Sequence, residues 1–168
     1  DPMALGDVDA PVVMIAFSDF RCPLCAQFSR ETEPQLIDRY VDTGTLRIEW
    51  RDLPIFGQQS FDAARAGRAA AAQGKFWEMA DILFAHSDAL EPDNIDRYAV
   101  ELDLDIDKFD DDLRTGDYVN RVEDEELDAN SSDVEGTPTF YLGRGDTNLV
   151  RHTGPYDAAS LIRALEQA

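Results

Sequence analysis

The sequence is short of the residues that bind metal ions. It has two cysteines, Cys22 and Cys25, and two histidines, His86 and His152, among 168 residues. A structural zinc site takes four cysteine or histidine ligands. Since the histidines are far from each other and from the cysteines along the chain, we expect no zinc site. No other motif in the sequence implies a metal ion or an organic cofactor.

Positive charge is also scarce. The chain carries 15 Lys and Arg against 35 Asp and Glu, a net charge of −20, and its only lysines are Lys75 and Lys108. Residues 88–135 hold 19 of the acidic residues and 4 of the basic ones. Because such a surface repels a phosphate backbone, we expect no nucleic-acid partner.

Long apolar runs are absent as well. No stretch approaches the roughly 20 apolar residues of a transmembrane helix. The first residues, 1–4, do not have the pattern of a signal peptide, although a trimmed mature domain would begin in the same way. The length suits one globular domain that carries an insertion.

What the sequence does contain is a strand that leads into a Cys-x-x-Cys pair. The apolar run 12–17 predicts a buried strand, and residues 26–40 have helical periodicity. Cys22 then lies at a helix N-terminus, where unpaired backbone N–H groups and the helix dipole favour the thiolate. We therefore expect Cys22 to be the exposed sulfur with a depressed pKa. Cys25, one turn later, can close a disulfide or attack a mixed one.

A structural disulfide between the two cysteines is the alternative interpretation. It would close a very short loop, and short loops gain least from a cross-link. Pro23 suits the first helical turn because its missing N–H has no partner there, and Leu24 sets the local polarity. We interpret the pair as redox-active.

The rest of the pattern predicts β-α-β, then a helical block, then β-β-α. Residues 1–10 show no periodicity and are predicted as a leader, and Pro34 is expected to kink the first helix. A strand at 46–50 should lie parallel to 12–17 in a βαβ unit. Further helices are predicted at 61–73, 76–86, 92–101, 106–114 and 118–129, a strand at 136–142 paired with 149–152, and a last helix at 157–166.

Three motifs resemble those of the DsbA-like thiol–disulfide oxidoreductases of the thioredoxin superfamily. They are Phe17-Ser18-Asp19-Phe20-x-Cys22-Pro23-x-Cys25, Gly74-Lys75-Phe76-Trp77-Glu78-Met79 and Gly136-Thr137-Pro138-Thr139-Phe140. They span nearly the whole chain in the family's order. The resemblance implies an α/β thioredoxin fold with an inserted helical domain. Residues 1–59 and 132–168 would form the two thioredoxin-fold halves, and residues 60–131 the insertion.

The resemblance also implies roles for the site residues. Cys22 would be the nucleophile and Cys25 the resolving thiol. Thr137 would offer its backbone to an incoming peptide, and Pro138 would be a cis-proline beside the cysteines. These four residues, with Pro23 and Leu24, make up the expected active site.

One position departs from the thioredoxin pattern. Thioredoxin-like proteins often have a buried acid six residues before the first cysteine, and this position is Ala16. Asp19 is the nearest alternative acid, with loop capping as its simpler role. The resolving step would then depend on water or on a distant carboxylate.

The implied function is exchange of the Cys22–Cys25 disulfide with client proteins that carry thiols or disulfides, above all as an oxidase of extracytoplasmic proteins. An oxidase needs reoxidation, which implies a membrane quinone-linked partner that is DsbB-like or VKOR-like. The sequence also allows a cytoplasmic location. Two other functions stay open: a reductase or isomerase of the same fold, and a non-catalytic binding protein with a structural disulfide.

Overall fold

The computed structural model of the protein describes residues 1–131, 134–145, 148–152 and 156–167. The strands are β1 (Ala4–Leu5), β2 (Val12–Ser18), β3 (Leu46–Asp52), β4 (Thr139–Arg144) and β5 (Val150–Arg151). The helices are α1 (Pro23–Gln27), α2 (Glu33–Leu36), α3 (Gln58–Ala71), α4 (Phe76–Ala85), α5 (Pro92–Glu101), α6 (Ile106–Arg114), α7 (Gly116–Ser131) and α8 (Ala158–Gln167). In the described parts of the chain, no helix has both the length and the apolar character needed to cross a membrane.

The strands form one mixed sheet in the order β1-β3-β2-β4-β5. β2 and β3 run parallel, with Ser18 opposite Asp52 at their carboxyl ends, which confirms the predicted βαβ unit. β4 lies antiparallel to β2 on the other side. β2 is therefore the central strand, and the residues that follow it emerge in the middle of the sheet.

The prediction that residues 1–10 form a leader is wrong in one respect. Ala4 and Leu5 form an edge strand that pairs antiparallel with β3, and Met3 is buried. Gly6 follows with a φ of 104°, and a side chain there would meet the Leu46 carbonyl oxygen at 2.5 Å. A strand of two residues is too short to show a periodicity, so the sequence pattern did not indicate it.

The helix after the cysteines is not a single kinked α-helix. Two π-helical segments, Phe28–Thr32 and Ile37–Val41, flank the short helix α2. Glu33 N–H donates to the Phe28 carbonyl five residues earlier. Pro34, in the first turn of α2, cannot donate a backbone hydrogen bond. The chain thus forms a wider, π-helical turn before Pro34 in place of the kink that we predicted there.

The core lies on both faces of the sheet. One cluster joins Phe20, Trp50 and the cysteines to α3 and α4, where the Phe20 and Trp50 rings stack at 4.7 Å. A Cβ on Gly67 of α3 would lie 3.2 Å from the Phe76 ring, so this glycine lets the helix pack closely. The cysteines consequently lie where the sheet meets the helices that follow β3.

The α/β class is confirmed, and the helices α3 to α7 lie between β3 and β4 in chain order. The division of the chain at 59/60 and 131/132 stays a prediction.

Candidate active site

The loop that carries the first cysteine is fixed by Asp19. This residue is 2% exposed, and its Oδ1 accepts a hydrogen bond from Arg21 N–H at 2.8 Å. Its Oδ2 accepts from the backbone N–H groups of Ile55 at 2.7 Å and Phe56 at 3.2 Å. Asp19 therefore ties the loop after β2 to the loop after β3, which is the capping role considered for it.

Cys22 is the N-cap residue of α1. Its sulfur accepts a hydrogen bond from Cys25 N–H at 3.4 Å, and Pro23 occupies the first turn of the helix. The N-cap position satisfies one of the unpaired donors at the helix start and holds the sulfur at the positive end of the dipole. The placement predicted for Cys22 and Pro23 is thus the one observed.

The surroundings of the two thiols shift their pKa values in opposite directions. A hydrogen bond from the Cys25 thiol, against the opposing effect of burial, lowers the pKa of Cys22 from 9.0 to about 6, with help from Thr137. Burial raises the pKa of Cys25, and the neighbouring Cys22 raises it further. Ser18, at the end of β2, hydrogen-bonds the Cys25 sulfur and opposes that rise. At neutral pH the pair therefore holds one thiolate and one thiol.

Exposure does not distinguish the cysteines, contrary to our expectation. Cys22 is 2% exposed and Cys25 is 1% exposed. The segment before β4 lies against Cys22, with the Thr137 carbonyl oxygen 3.4 Å from the sulfur, where the protonated thiol can donate a hydrogen bond to it. Leu24, by contrast, is 54% exposed and forms part of the surface beside the pair.

Thr137 and Pro138 are brought to the cysteines from more than a hundred residues away along the chain. Their peptide bond is cis. The Thr137 hydroxyl is buried and has no hydrogen-bond partner that meets normal geometry among the described residues. Thr139 Oγ1 donates to the Gly136 carbonyl at 2.7 Å and fixes the turn around the proline. The structure thus brings the peptide of Thr137 and Pro138 to the start of α1, where Cys22, Pro23, Leu24 and Cys25 follow one another.

Glu33, a half-buried carboxylate in the segment after α1, was not predicted as part of the site. Glu33 accepts a hydrogen bond from Ser29 Oγ at 3.2 Å and borders a cavity of about 10 Å³. The cavity is lined by Ala16, Ser18, Phe28, Ser29, Glu33, Ile48, Trp50, Trp77, Phe84 and Phe140. Cys25, Ser29 and Glu33 are spaced by four residues, a spacing that in an α-helix would put them on one face. This spacing was the available signal for Glu33.

A second group of charges lies at the end of β3. Asp52 is 1% exposed and accepts hydrogen bonds from Trp50 Nε1 and Arg68 Nε, both at 2.7 Å. Glu125 of α7 pairs with Arg68 at 2.7 Å and accepts from Asp52 N–H at 2.6 Å. This cluster of Asp52, Arg68 and Glu125 joins the sheet to α3 and α7. No group of three or more His, Cys, Asp or Glu in the described residues could hold a metal ion.

Comparison with known proteins places the chain in a family. A family model described as Thioredoxin matches residues 1–162. The chain belongs to the thioredoxin family. Its structure superposes on that of alpha-DsbA1 from Wolbachia pipientis with a TM-score of 0.85 at 21% identity, covering 98% of this chain and 89% of that one. This similarity confirms the thioredoxin fold and its likeness to the DsbA proteins.

Two further relatives are closer in sequence. A thioredoxin-like oxidoreductase from Silicibacter pomeroyi is 26% identical, with a TM-score of 0.82 and coverage of 98% of this chain and 90% of that one. A Na(+)/H(+) antiporter, NhaA 1 from Mycobacterium sp. (strain KMS), is 45% identical over 165 residues, which are 96% of this chain and 26% of the antiporter. The thioredoxin-family chain thus spans about a quarter of the length of the curated relatives it matches.

Proposed function

We propose that the protein is a thiol–disulfide oxidoreductase that exchanges a Cys22–Cys25 disulfide with client proteins, as a DsbA-like oxidase. The observation that carries the proposal is the position of Cys22 as the N-cap of α1, where its sulfur accepts a hydrogen bond from Cys25 N–H at 3.4 Å and the pKa values of the two thiols shift in opposite directions. A thiolate is the reactive form of cysteine, and a neighbouring thiol that stays protonated remains available for the second step of the exchange. A structural disulfide has no need of this asymmetry.

The chemistry follows from this arrangement. In the oxidised protein, a client thiolate attacks the Cys22 sulfur and forms a mixed disulfide, and Cys25 leaves and takes up a proton. The client's second thiolate then attacks its own sulfur in the mixed disulfide and releases Cys22 as a thiolate. Two electrons pass from the client to the cysteine pair, and the low pKa of Cys22 makes it a good leaving group.

The surface around Cys22 suits a peptide client with apolar side chains. Leu24 is 54% exposed, and Ile55 and Phe56 are each 45% exposed. The loop 55–56 is joined to the active-site loop through Asp19 and through Arg21, whose guanidinium donates to the Phe56 carbonyl at 2.9 Å. Exposed apolar side chains next to a reactive group are typical of a binding surface. Thr137 would add backbone contacts to such a peptide.

Oxidase activity requires a partner and a compartment. A membrane quinone-linked protein, DsbB-like or VKOR-like, would accept electrons from the reduced pair, and the clients would be extracytoplasmic proteins. A membrane-impermeant maleimide applied to intact cells tests the location. Labelling of Cys22 without lysis supports the extracytoplasmic site, and labelling only after lysis supports a cytoplasmic one.

The exchange itself is tested with single-cysteine variants. In the reverse direction, the Cys22 thiolate attacks a client disulfide and Cys25 displaces the client. We therefore expect Cys25→Ser to accumulate mixed disulfides with client proteins that carry disulfides, because the displacing thiol is gone, and Cys22→Ser to trap none. Wild-type protein should also catalyse the reduction of insulin by a dithiol. Absence of both insulin reduction and trapped clients would leave only the non-catalytic binding function.

The direction of exchange depends on the reduction potential. A stabilised Cys22 thiolate makes the disulfide more oxidising, and Leu24 adds no positive charge that would strengthen this effect. We expect a potential above about −270 mV and below about −120 mV, the values of thioredoxin and DsbA. Equilibration with glutathione, followed by alkylation of the remaining thiols, gives the value. A potential at or below that of thioredoxin would favour the reductase or isomerase.

The similarity to NhaA 1 supports a second candidate, in which the protein acts as the redox domain of a Na(+)/H(+) antiporter. Its basis is the 45% identity over almost the whole chain. Antiport measured in vesicles that contain the antiporter and this domain should respond to dithiol reductant, and Cys22→Ser should abolish the response. Equal responses in both proteins would argue against a regulatory link.

A further inference from the structure

Glu33 and the cavity beside it have no part in the exchange chemistry described so far. The cavity lies between the sheet, the segment after α1 and helix α4. Its volume of about 10 Å³ is close to the space that one water molecule needs. Two serine hydroxyls and a carboxylate border it among otherwise apolar side chains. A water there would find the two or more polar partners that buried water requires.

Ser18 is the residue that relates this cavity to the resolving cysteine. Ser18 hydrogen-bonds the Cys25 sulfur and also lines the cavity, which Glu33 and Ser29 line as well. Ala16 is the next residue of β2 that faces the same side, and its small side chain leaves the space open. Cys25, Ser18 and Glu33 therefore stand in sequence along one polar path.

We propose that Glu33 takes up the proton of Cys25 when this thiol resolves a mixed disulfide, through the Ser18 hydroxyl and a water molecule in the cavity. The inference rests on the proposed thiol–disulfide exchange. The Cys25 proton passes to Glu33, the Cys25 thiolate attacks the Cys22 sulfur, and the bond between Cys22 and the client sulfur breaks. The client sulfur leaves reduced, as a thiolate, and Cys25 is oxidised into the Cys22–Cys25 disulfide. The reverse reaction returns the proton to Cys25.

The electrostatic surroundings suit a group that gains and loses a proton near neutral pH. Burial raises the pKa of Glu33 to about 7, although the hydrogen bond from Ser29 opposes the rise. The charged group that faces it from α4 is Asp81, which raises the pKa further. Asp81 is exposed, so Glu33 lies between the cavity and the solvent side of the molecule. A proton that reaches Glu33 can leave by that side.

The test compares the reduced wild-type protein with Glu33→Gln, which keeps the size of the side chain and removes its titration. Oxidised glutathione forms a mixed disulfide with Cys22, and acid quenching with mass spectrometry follows its first-order resolution. In the wild type we expect the rate to fall as the pH drops through about 7. In Glu33→Gln we expect this inflection to disappear, and the rate above pH 7 to be about 10²- to 10⁴-fold lower, the range for general base catalysis.

Two further variants separate proton transfer from a structural role. Ser18→Ala, which interrupts the path, should lose the same inflection. Asp81→Asn keeps Glu33 and removes its charged neighbour, so the inflection should remain and shift to lower pH. The ultraviolet absorbance of the Cys22 thiolate should titrate alike in wild type and Glu33→Gln.

The outcomes distinguish the inference from the function on which it rests. If mixed disulfides form and Glu33→Gln resolves them with the wild-type pH profile, Glu33 is not the proton acceptor. A rate that is lowered equally at every pH, with the inflection kept, would assign Glu33 a structural role and overturn the inference too. Failure of the wild type to form any mixed disulfide would instead overturn the proposed exchange.

Discussion

The thiol of Cys25 controls the acidity of its neighbour. Its hydrogen bond is the largest contribution to the lowered pKa of Cys22, ahead of the donors at the start of α1. We expect Cys25→Ala to raise the pKa of Cys22 well above its value of about 6. Cys25→Ser is the matched control, because its hydroxyl can still donate and should keep most of the depression. Thiolate absorbance titrated with pH measures both variants.

A pKa that stays near 6 in Cys25→Ala would mean that the helix N-terminus and Thr137 suffice to stabilise the thiolate. For single residues, the sequence identified the two cysteines and their place in the chain fold, since the Cys-x-x-Cys spacing and Pro23 predicted that Cys22 lies at a helix N-terminus. It could not show the burial of Cys22, because the covering residue, Thr137, is 115 positions away in the chain.

Among the elements, the connection between the sheet and helices α3 and α7 depends on Arg68. Its side chain is 7% exposed and pairs with Asp52 and Glu125. We expect Arg68→Met to lower the free energy of unfolding by about 3–5 kcal/mol, because it leaves buried carboxylates without their cation. Arg114→Met is the control, since its ion pair with Asp111 is largely exposed and should contribute less than about 1 kcal/mol. Denaturant titration of both variants gives the comparison.

A loss below about 1 kcal/mol in Arg68→Met would show that water or a rearranged carboxylate replaces the guanidinium. The sequence did not reveal this cluster, because its three members come from β3, α3 and α7 and no local pattern links them. By contrast, the helices α3 to α7 were predicted to within a few residues, since apolar periodicity and turn residues are local signals. The π-helical segments escaped prediction because each is five residues long, about one turn, which is too short to show a period of its own.

For the whole molecule, the cysteine pair couples stability to pH in a way that depends on the redox state. The folded reduced protein ionises Cys22 near pH 6, and the unfolded chain near its ordinary value of 9.0. Between these values the unfolded state binds more protons, so the stability of the reduced protein rises with pH by at most about 1.4 kcal/mol per pH unit. This gain in stability is lost as the pH falls from 9.0 to about 6.

Above pH 9 the sign reverses, because the raised pKa of Cys25 keeps this thiol neutral only in the folded state. The oxidised protein has neither ionisation and serves as the reference. Guanidinium unfolding of both forms from about pH 5 to pH 9 should show the reduced form gaining on the oxidised form. A constant difference across this range would contradict the lowered pKa of Cys22.

The stability of the folded protein should also depend on salt, because its surface is strongly acidic. The net charge is −20, and residues 88–135 carry most of it. Like charges repel over about a Debye length, ~10 Å at 0.1 M salt. We expect the melting temperature to rise between low salt and about 1 M NaCl, and sulfate to raise it further by strengthening apolar burial. A flat response would mean that the carboxylates are already well separated or paired.

The two outer strands of the sheet have a consequence for the protein at high concentration. β1 and β5 are each two residues long, so each edge offers an approaching chain very few backbone groups to pair with. Short edge strands are one of the means by which natural sheets avoid joining edge to edge. Among the described residues, β2 is paired on both sides, whereas β1 and β5 each cover two residues on the outer sides of β3 and β4. Stacking of molecules into extended sheets is thus opposed by the shape of the sheet itself, independently of charge and of the redox state of the cysteines.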